Sequence, residues 1–163
     1  MAIAMAVAPG SAAGADDDTP RDTFSRADLI AALEANGASW EELADSRSID
    51  VTLASGTMVN ALLMACTDED LEYECYGSSF LATFTREGLS DAQVTEAINE
   101  YNYRENFGRA YVDPDGTVSV RLYLISDGGI TPGHFARQIE LWGVSLSDFF
   151  DYLYGPVEED EGA

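Results

Sequence analysis

Apolar residues recur along this chain with two periods, and the switches between them divide it into elements. Leu29, Ile30 and Leu33 are spaced as one helix face; Ser25 is placed to cap that helix, Asp28 follows three residues later as in a capping box, and Asn36-Gly37 stops it. Ile49, Val51 and Leu53 alternate with Asp50 and Thr52, the pattern of a half-buried strand. Ala54-Ser55-Gly56 turns the chain into a second, more apolar strand over about 57–66. A return strand over 75–84 places Tyr76, Phe80 and Phe84 on one face and Gly77, Ser79 and Leu81 on the other.

After Gly88, Ser90 caps a helix with an apolar stripe of Val94, Ala97, Ile98 and Tyr101. Asn106 and Gly108 lead into a strand that ends at Asp113. In Asp113-Pro114-Asp115-Gly116-Thr117, Pro and Asp suit a type I turn and Gly116 suits the left-handed position of a three-residue hairpin loop. That loop puts Asp113 opposite Thr117 and Arg109 opposite Arg121. The next strand alternates Val118, Val120, Leu122 and Leu124 against Ser119, Arg121 and Tyr123, until Asp127-Gly128-Gly129 breaks it. From Thr131 a last helix carries Phe135, Ile139, Trp142, Leu146, Phe149, Phe150 and Leu153 on one stripe, with Gly143 expected to loosen its middle.

The predicted order is α-β-β-β-α-β-β-α. Short turns between neighbouring strands make the sheet largely antiparallel, with the helices gathered on one face: a single α+β domain. Alternation then sorts the strands into two faces. Val118, Val120, Leu122, Leu124, Tyr76, Phe80 and Phe84 face the helices; Arg109, Tyr111, Ser119, Arg121 and Tyr123 face away. Like charges directly opposed, as Arg109 and Arg121 are, repel unless a carboxylate sits between them. That carboxylate comes either from this chain or from a partner, for which Arg and Tyr are common anchors.

Charge changes the picture next. The 163 residues carry 8 basic side chains, all arginine, against 30 acidic ones, a net charge of −22. Such a chain repels phosphate backbones and anionic headgroups, which argues against nucleic-acid binding and membrane adhesion. No apolar run approaches the ~20 residues of a membrane-spanning helix. The same acidity also suits a saline habitat, since surface carboxylates hold water.

Cys66 and Cys75 are the only cysteines, nine residues apart across the acidic loop 67–74. Two strands leaving that loop hold them opposite each other, at a spacing that suits a disulfide; the other reading is two buried thiols. A two-thiol metal site is poorly served, because His134 is far along the chain. Residues 1–15 are small and apolar and end in Ala13-Gly14-Ala15, the form of a signal-peptidase site, before an acidic linker over 16–24. No basic residue precedes the apolar stretch, so an Ala-rich tail is the alternative to an export signal. A disulfide and an export signal agree on a periplasmic or secreted location. Residues 155–163 read as an acidic tail.

Catalytic constellations are scarce. His134 is the only imidazole, and Gly-x-Ser-x-Gly, phosphate-loop and Rossmann patterns are absent. Lacking lysine, the chain has no Schiff-base chemistry. Asp113-x-Asp115-Gly116 resembles the start of a calcium loop without its 12-residue spacing, and turn geometry accounts for it. No cofactor, metal ligand or catalytic residue is assigned.

Ile98-Asn99-Glu100-Tyr101-Asn102, then Asn106-Phe107-Gly108-Arg109-Ala110-Tyr111-Val112-Asp113 and Asp115-Gly116, resemble the YbjN-domain family, in which an N-x-x-N helix leads into an "aRay-d-dG" hairpin. The resemblance covers residues 25–154, and Cys66 and Cys75 look like the cysteine pair of its exported branch. It implies an α+β fold similar to type III secretion chaperones and a role in sensory-transduction regulation, with no catalytic residues to carry over. The reading is a non-enzymatic module that binds a protein or peptide through Arg109, Tyr111, Arg121 and Tyr123, and it is compatible with a homodimer. The alternative is a small-ligand or ion-binding domain, served by the acidic loops and a pocket beneath the aromatic helix; an enzyme comes third.

Overall fold

The computed structural model describes residues 19–155. The readings of residues 1–15 as an export signal, of 16–18 as linker and of 156–163 as tail lie outside them. Ser25 opens α1 (Arg26–Ala35): its hydroxyl accepts the Asp28 N–H while the Asp28 carboxylate accepts the Ser25 N–H at 2.8 Å. Gly37, at φ +69°, ends the helix. Four strands follow, β1 (Ser39–Glu42), β2 (Ile49–Thr52), β3 (Met58–Asp68) and β4 (Tyr73–Phe84). Then come α2 (Asp91–Arg104), β5 (Arg109–Val112), β6 (Val118–Ile125) and α3 (Pro132–Tyr154). The predicted order is present, with β1 as an additional edge strand.

The six strands form one antiparallel sheet in the order β1-β2-β3-β4-β6-β5. Its inner face (Val59, Ala61, Leu63, Phe80, Ala82, Val118 and Val120) is buried against all three helices. Trp142 is wholly buried, 5.9 Å from Phe80, and Phe149 packs edge-on against Phe84 and Tyr101. Burial of large rings of this kind is the main stabilising term of the fold.

Several details differ from the sequence reading. Tyr76, expected to share a face with Phe80, is 37% exposed. Ala65 and Glu74, the residues just before each cysteine, both adopt positive φ and re-aim the end of the hairpin. Cys75 turns inward there. Phe150 is exposed, because it lies about 100° round α3 from Phe149, and the buried stripe runs through Leu146, Phe149 and Leu153. Gly143 does not interrupt α3; a Cβ there would stand 3.4 Å from Leu53 Cδ1. Residues 21–24, in the segment read as linker, are tied to the fold. Arg21 bridges to Ile130, and Phe24 bridges to Cys75 and stacks on Phe135.

Cys66 and Cys75 occupy directly opposed positions and form a disulfide. Behind it, Glu72 is buried and accepts two hydrogen bonds from Arg26, at 2.5 and 2.7 Å. Arg26 also donates to the Arg47 carbonyl, and Arg47 pairs with Glu69 at 2.9 Å. The hairpin tip is thereby latched to α1 and to the segment before β2.

Candidate functional site

The hairpin joining β5 to β6 forms as its residues require. The Asp113 N–H donates to the Thr117 carbonyl at 2.8 Å, the Gly116 N–H donates to the Asp113 carbonyl at 2.8 Å, and Gly116 has φ +90°. The register places Arg109 opposite Arg121 and Tyr111 opposite Ser119, on the outer face. Tyr123 follows Arg121 on that face of β6, so the four residues singled out in the sequence are brought together.

Arg121 lies between two rings. Its guanidinium carbon is 5.6 Å from the ring centres of both Tyr111 and Tyr123, and its Nη1 donates to the Tyr123 hydroxyl at 2.8 Å. That hydrogen bond is the main cause raising the Arg121 pKa. Burial raises the Tyr111 pKa, opposed by the neighbouring guanidinium. Both residues keep a buried donor without a partner, Nε of Arg121 and the hydroxyl of Tyr111.

Neither Arg109 nor Arg121 has a carboxylate partner among the described residues, whereas Arg21, Arg26, Arg47, Arg86, Arg104 and Arg137 are all ion-paired. Asp113 acts on Arg121 through space, but its carboxylate accepts the Ser119 hydroxyl at 2.5 Å instead. Ser119 itself is buried, so this hydroxyl is not offered to a substrate. His134 is remote in role: exposed at the start of α3, its backbone N–H donates to Thr131 at 3.0 Å.

A rigid support lies under the corner. Gly108 has φ +133°, and a Cβ there would stand 2.9 Å from Nε1 of Trp142 and 3.0 Å from the Tyr101 hydroxyl. Tyr101 donates to the Phe107 carbonyl at 3.2 Å and shares a 2.9 Å hydrogen bond with Ser145. Burial pushes the Tyr101 pKa up to about 12 despite the Ser145 contact. Asn102 closes the outer edge of β5: its Nδ2 donates to the Ala110 carbonyl and its Oδ1 accepts the Ala110 N–H, both at 2.9 Å. The Asn102 and Phe107-Gly108 positions of the sequence motif are thus explained by structure.

Sequence reasoning missed the apolar part of the outer face. Met58 and Ile125 are 70% and 64% exposed, and Leu62, Met64 and Leu81 are half-buried beside them. A signal existed: β3 is apolar at both parities, which a strand with one wet face does not need.

These features define the class as an α+β domain with helices on one side of its sheet and an open, partly apolar and arginine-bearing surface on the other. The chain belongs to the YbjN family, described as "putative bacterial sensory transduction regulator", which matches residues 25–154. Among solved structures it is similar to that described as "YbjN, a putative transcription regulator from E. coli", with TM-score 0.52 and 15% identity over 76% of this chain and 87% of that one. At this identity the likeness is one of fold. No curated protein matches the chain. Among the described residues, no helix is long and apolar enough to cross a membrane.

Proposed function

We propose that this protein is a non-enzymatic module with a regulatory or chaperone-like role, binding a carboxylate-bearing protein or peptide segment on its open sheet face. The observation that carries this reading is the pair Arg109 and Arg121, without a carboxylate partner among the described residues of a chain of net charge −22 whose other arginines are ion-paired. Guanidinium forks match carboxylates, and the flanking tyrosines and exposed aliphatic side chains supply apolar contact. The family description supports a regulatory role, and the disulfide is compatible with an oxidising compartment such as the periplasm.

Fluorescence anisotropy tests it with synthetic peptides that alternate valine and glutamate, set against versions in which glutamine replaces glutamate. The glutamate peptides are expected to bind more tightly, to weaken with added salt, and to lose about tenfold or more in affinity when Arg109→Ala and Arg121→Ala are combined, a change of about 1.4 kcal/mol. Equal affinity for the glutamine versions, or no effect of the double substitution, overturns the reading.

A further inference from the structure

β5 pairs with only half of β6. It spans Arg109–Val112 against Val118–Arg121, and β6 continues to Ile125 with no strand among the described residues beside it on that side. The cause is Gly108, whose positive φ and close seat on Trp142 lead the chain away just where β5 would otherwise extend. The vacated space is a groove of about 730 Å³, lined by Phe107, Arg109, Arg121, Leu122, Leu124 and Gln138 among others.

The register says which backbone groups face it. Along an antiparallel strand, successive residues direct their N–H and C=O to opposite neighbours. Ala110 directs both groups away from β6, into Asn102, so its opposite residue Val120 directs its own groups toward β4. Arg121, Tyr123 and Ile125 therefore turn toward the β5 side. Arg121 meets Arg109; Tyr123 and Ile125 meet no strand among the described residues. Other edges are closed or unsuited: Asn102 occupies Ala110, and β1 exposes Glu41 and Glu42, which repel an acidic guest.

From this geometry we infer that the free edge of β6 at Tyr123 and Ile125 receives an extended peptide segment as an added antiparallel strand, in line with β5, whose alternate side chains are acidic and apolar. Side chains directed to the outer face meet Arg109, Arg121 and Tyr123, where a carboxylate supplies the missing partner. Those directed inward meet Leu122, Leu124 and Phe107, where an apolar group fits. Main-chain hydrogen bonds hold such a guest and the alternate side chains select it. The inference rests on the peptide-binding reading above and adds where the guest lies and how it is held.

The test uses the same valine–glutamate peptides, N-methylated at every second residue in one set and at the intervening residues in another, with amide exchange of the protein followed by NMR. One N-methylated set is expected to lose more than tenfold in affinity and the other to stay within about twofold, because only alternate N–H groups reach β6. The unmethylated peptide is expected to slow exchange at Tyr123 and Ile125. If both sets bind as well as the parent while Arg109→Ala with Arg121→Ala still abolishes binding, the guest lies across the face and the edge inference falls alone. If no peptide binds, the peptide-binding reading falls as well. If sedimentation shows self-association that protects Tyr123 and Ile125 without peptide, a second copy occupies the edge and the inference is overturned.

Discussion

The hairpin tip beside the disulfide and the corner where β5 meets β6 each hold an arginine packed into the surface of a strongly acidic chain. At the tip, Arg26 is gripped by both oxygens of a buried Glu72 and by the Arg47 carbonyl. At the corner, Arg121 has two tyrosine rings, one phenol hydroxyl and no carboxylate among the described residues. The same side chain thus has a carboxylate in one place and none among the described residues in the other, although each keeps one buried nitrogen without a partner, Nη1 of Arg26 and Nε of Arg121. Abundance of acid does not explain the difference, because Asp113 is near Arg121 and is engaged by Ser119. The contrast separates an arginine that fastens the fold from one whose charge is available to a guest.

The largest expected effect sharpens this by locating the stability of the corner beneath its arginines. Gly108→Ala places a Cβ 2.9 Å from Trp142 Nε1 at a φ of +133°. Backbone strain costs roughly 1–3 kcal/mol. Overpacking adds on a similar scale, so a loss of about 2–4 kcal/mol is expected in urea unfolding. A loss under ~1 kcal/mol would mean that the loop yields and does not set the end of β5.

Next, Glu72→Ala leaves the Arg26 guanidinium without its carboxylate. Stranding one member of a fully buried pair costs about 3–5 kcal/mol. Arg26 is 24% exposed, so water recovers part of that, and about 2–3 kcal/mol is the expected loss. Reducing the disulfide acts on the same tip. Its nine-residue separation gives about 2–3 kcal/mol in the chain-entropy account. Thermal melts with and without reductant measure it, and coincident melts would show that Arg26–Glu72 and Arg47–Glu69 hold the tip unaided.

How legible these two regions were differs for a physical reason. The corner was read closely, down to Arg109 opposite Arg121, because Asp113, Pro114 and Gly116 dictate a loop whose geometry fixes the register locally. The tip was read only as two opposed cysteines. Its positive-φ residues Ala65, Glu72 and Glu74 are not glycines, and Arg26 meets Glu72 from 46 residues away, so neither leaves a local trace. β1 escaped for a similar reason: Ser-Trp-Glu-Glu lacks alternation and becomes a strand by pairing with β2. Which arginines find carboxylates is likewise a long-range outcome. The free edge at Tyr123 and Ile125 needed the exact end of β5, and that is set by Gly108 meeting Trp142 from the far end of the chain.

The smallest expected effect on stability bears most directly on the comparison. Arg109→Gln and Arg121→Gln remove no ion pair within the described fold. What Arg121 loses is its contact with two rings and one hydroxyl. A cation over an aromatic ring at a partly exposed site contributes about 0.5–1 kcal/mol, so with two rings the double variant is expected to lose no more than about 1–2 kcal/mol. Removing two opposed like charges offsets part of even that loss. A destabilisation as large as that of Glu72→Ala would show that Arg121 is a fastening like Arg26, and the distinction between the two corners would then disappear. A near-neutral melt together with lost peptide affinity places the contribution of Arg109 and Arg121 in binding, because a charge that the folded chain leaves uncompensated costs the fold little to remove.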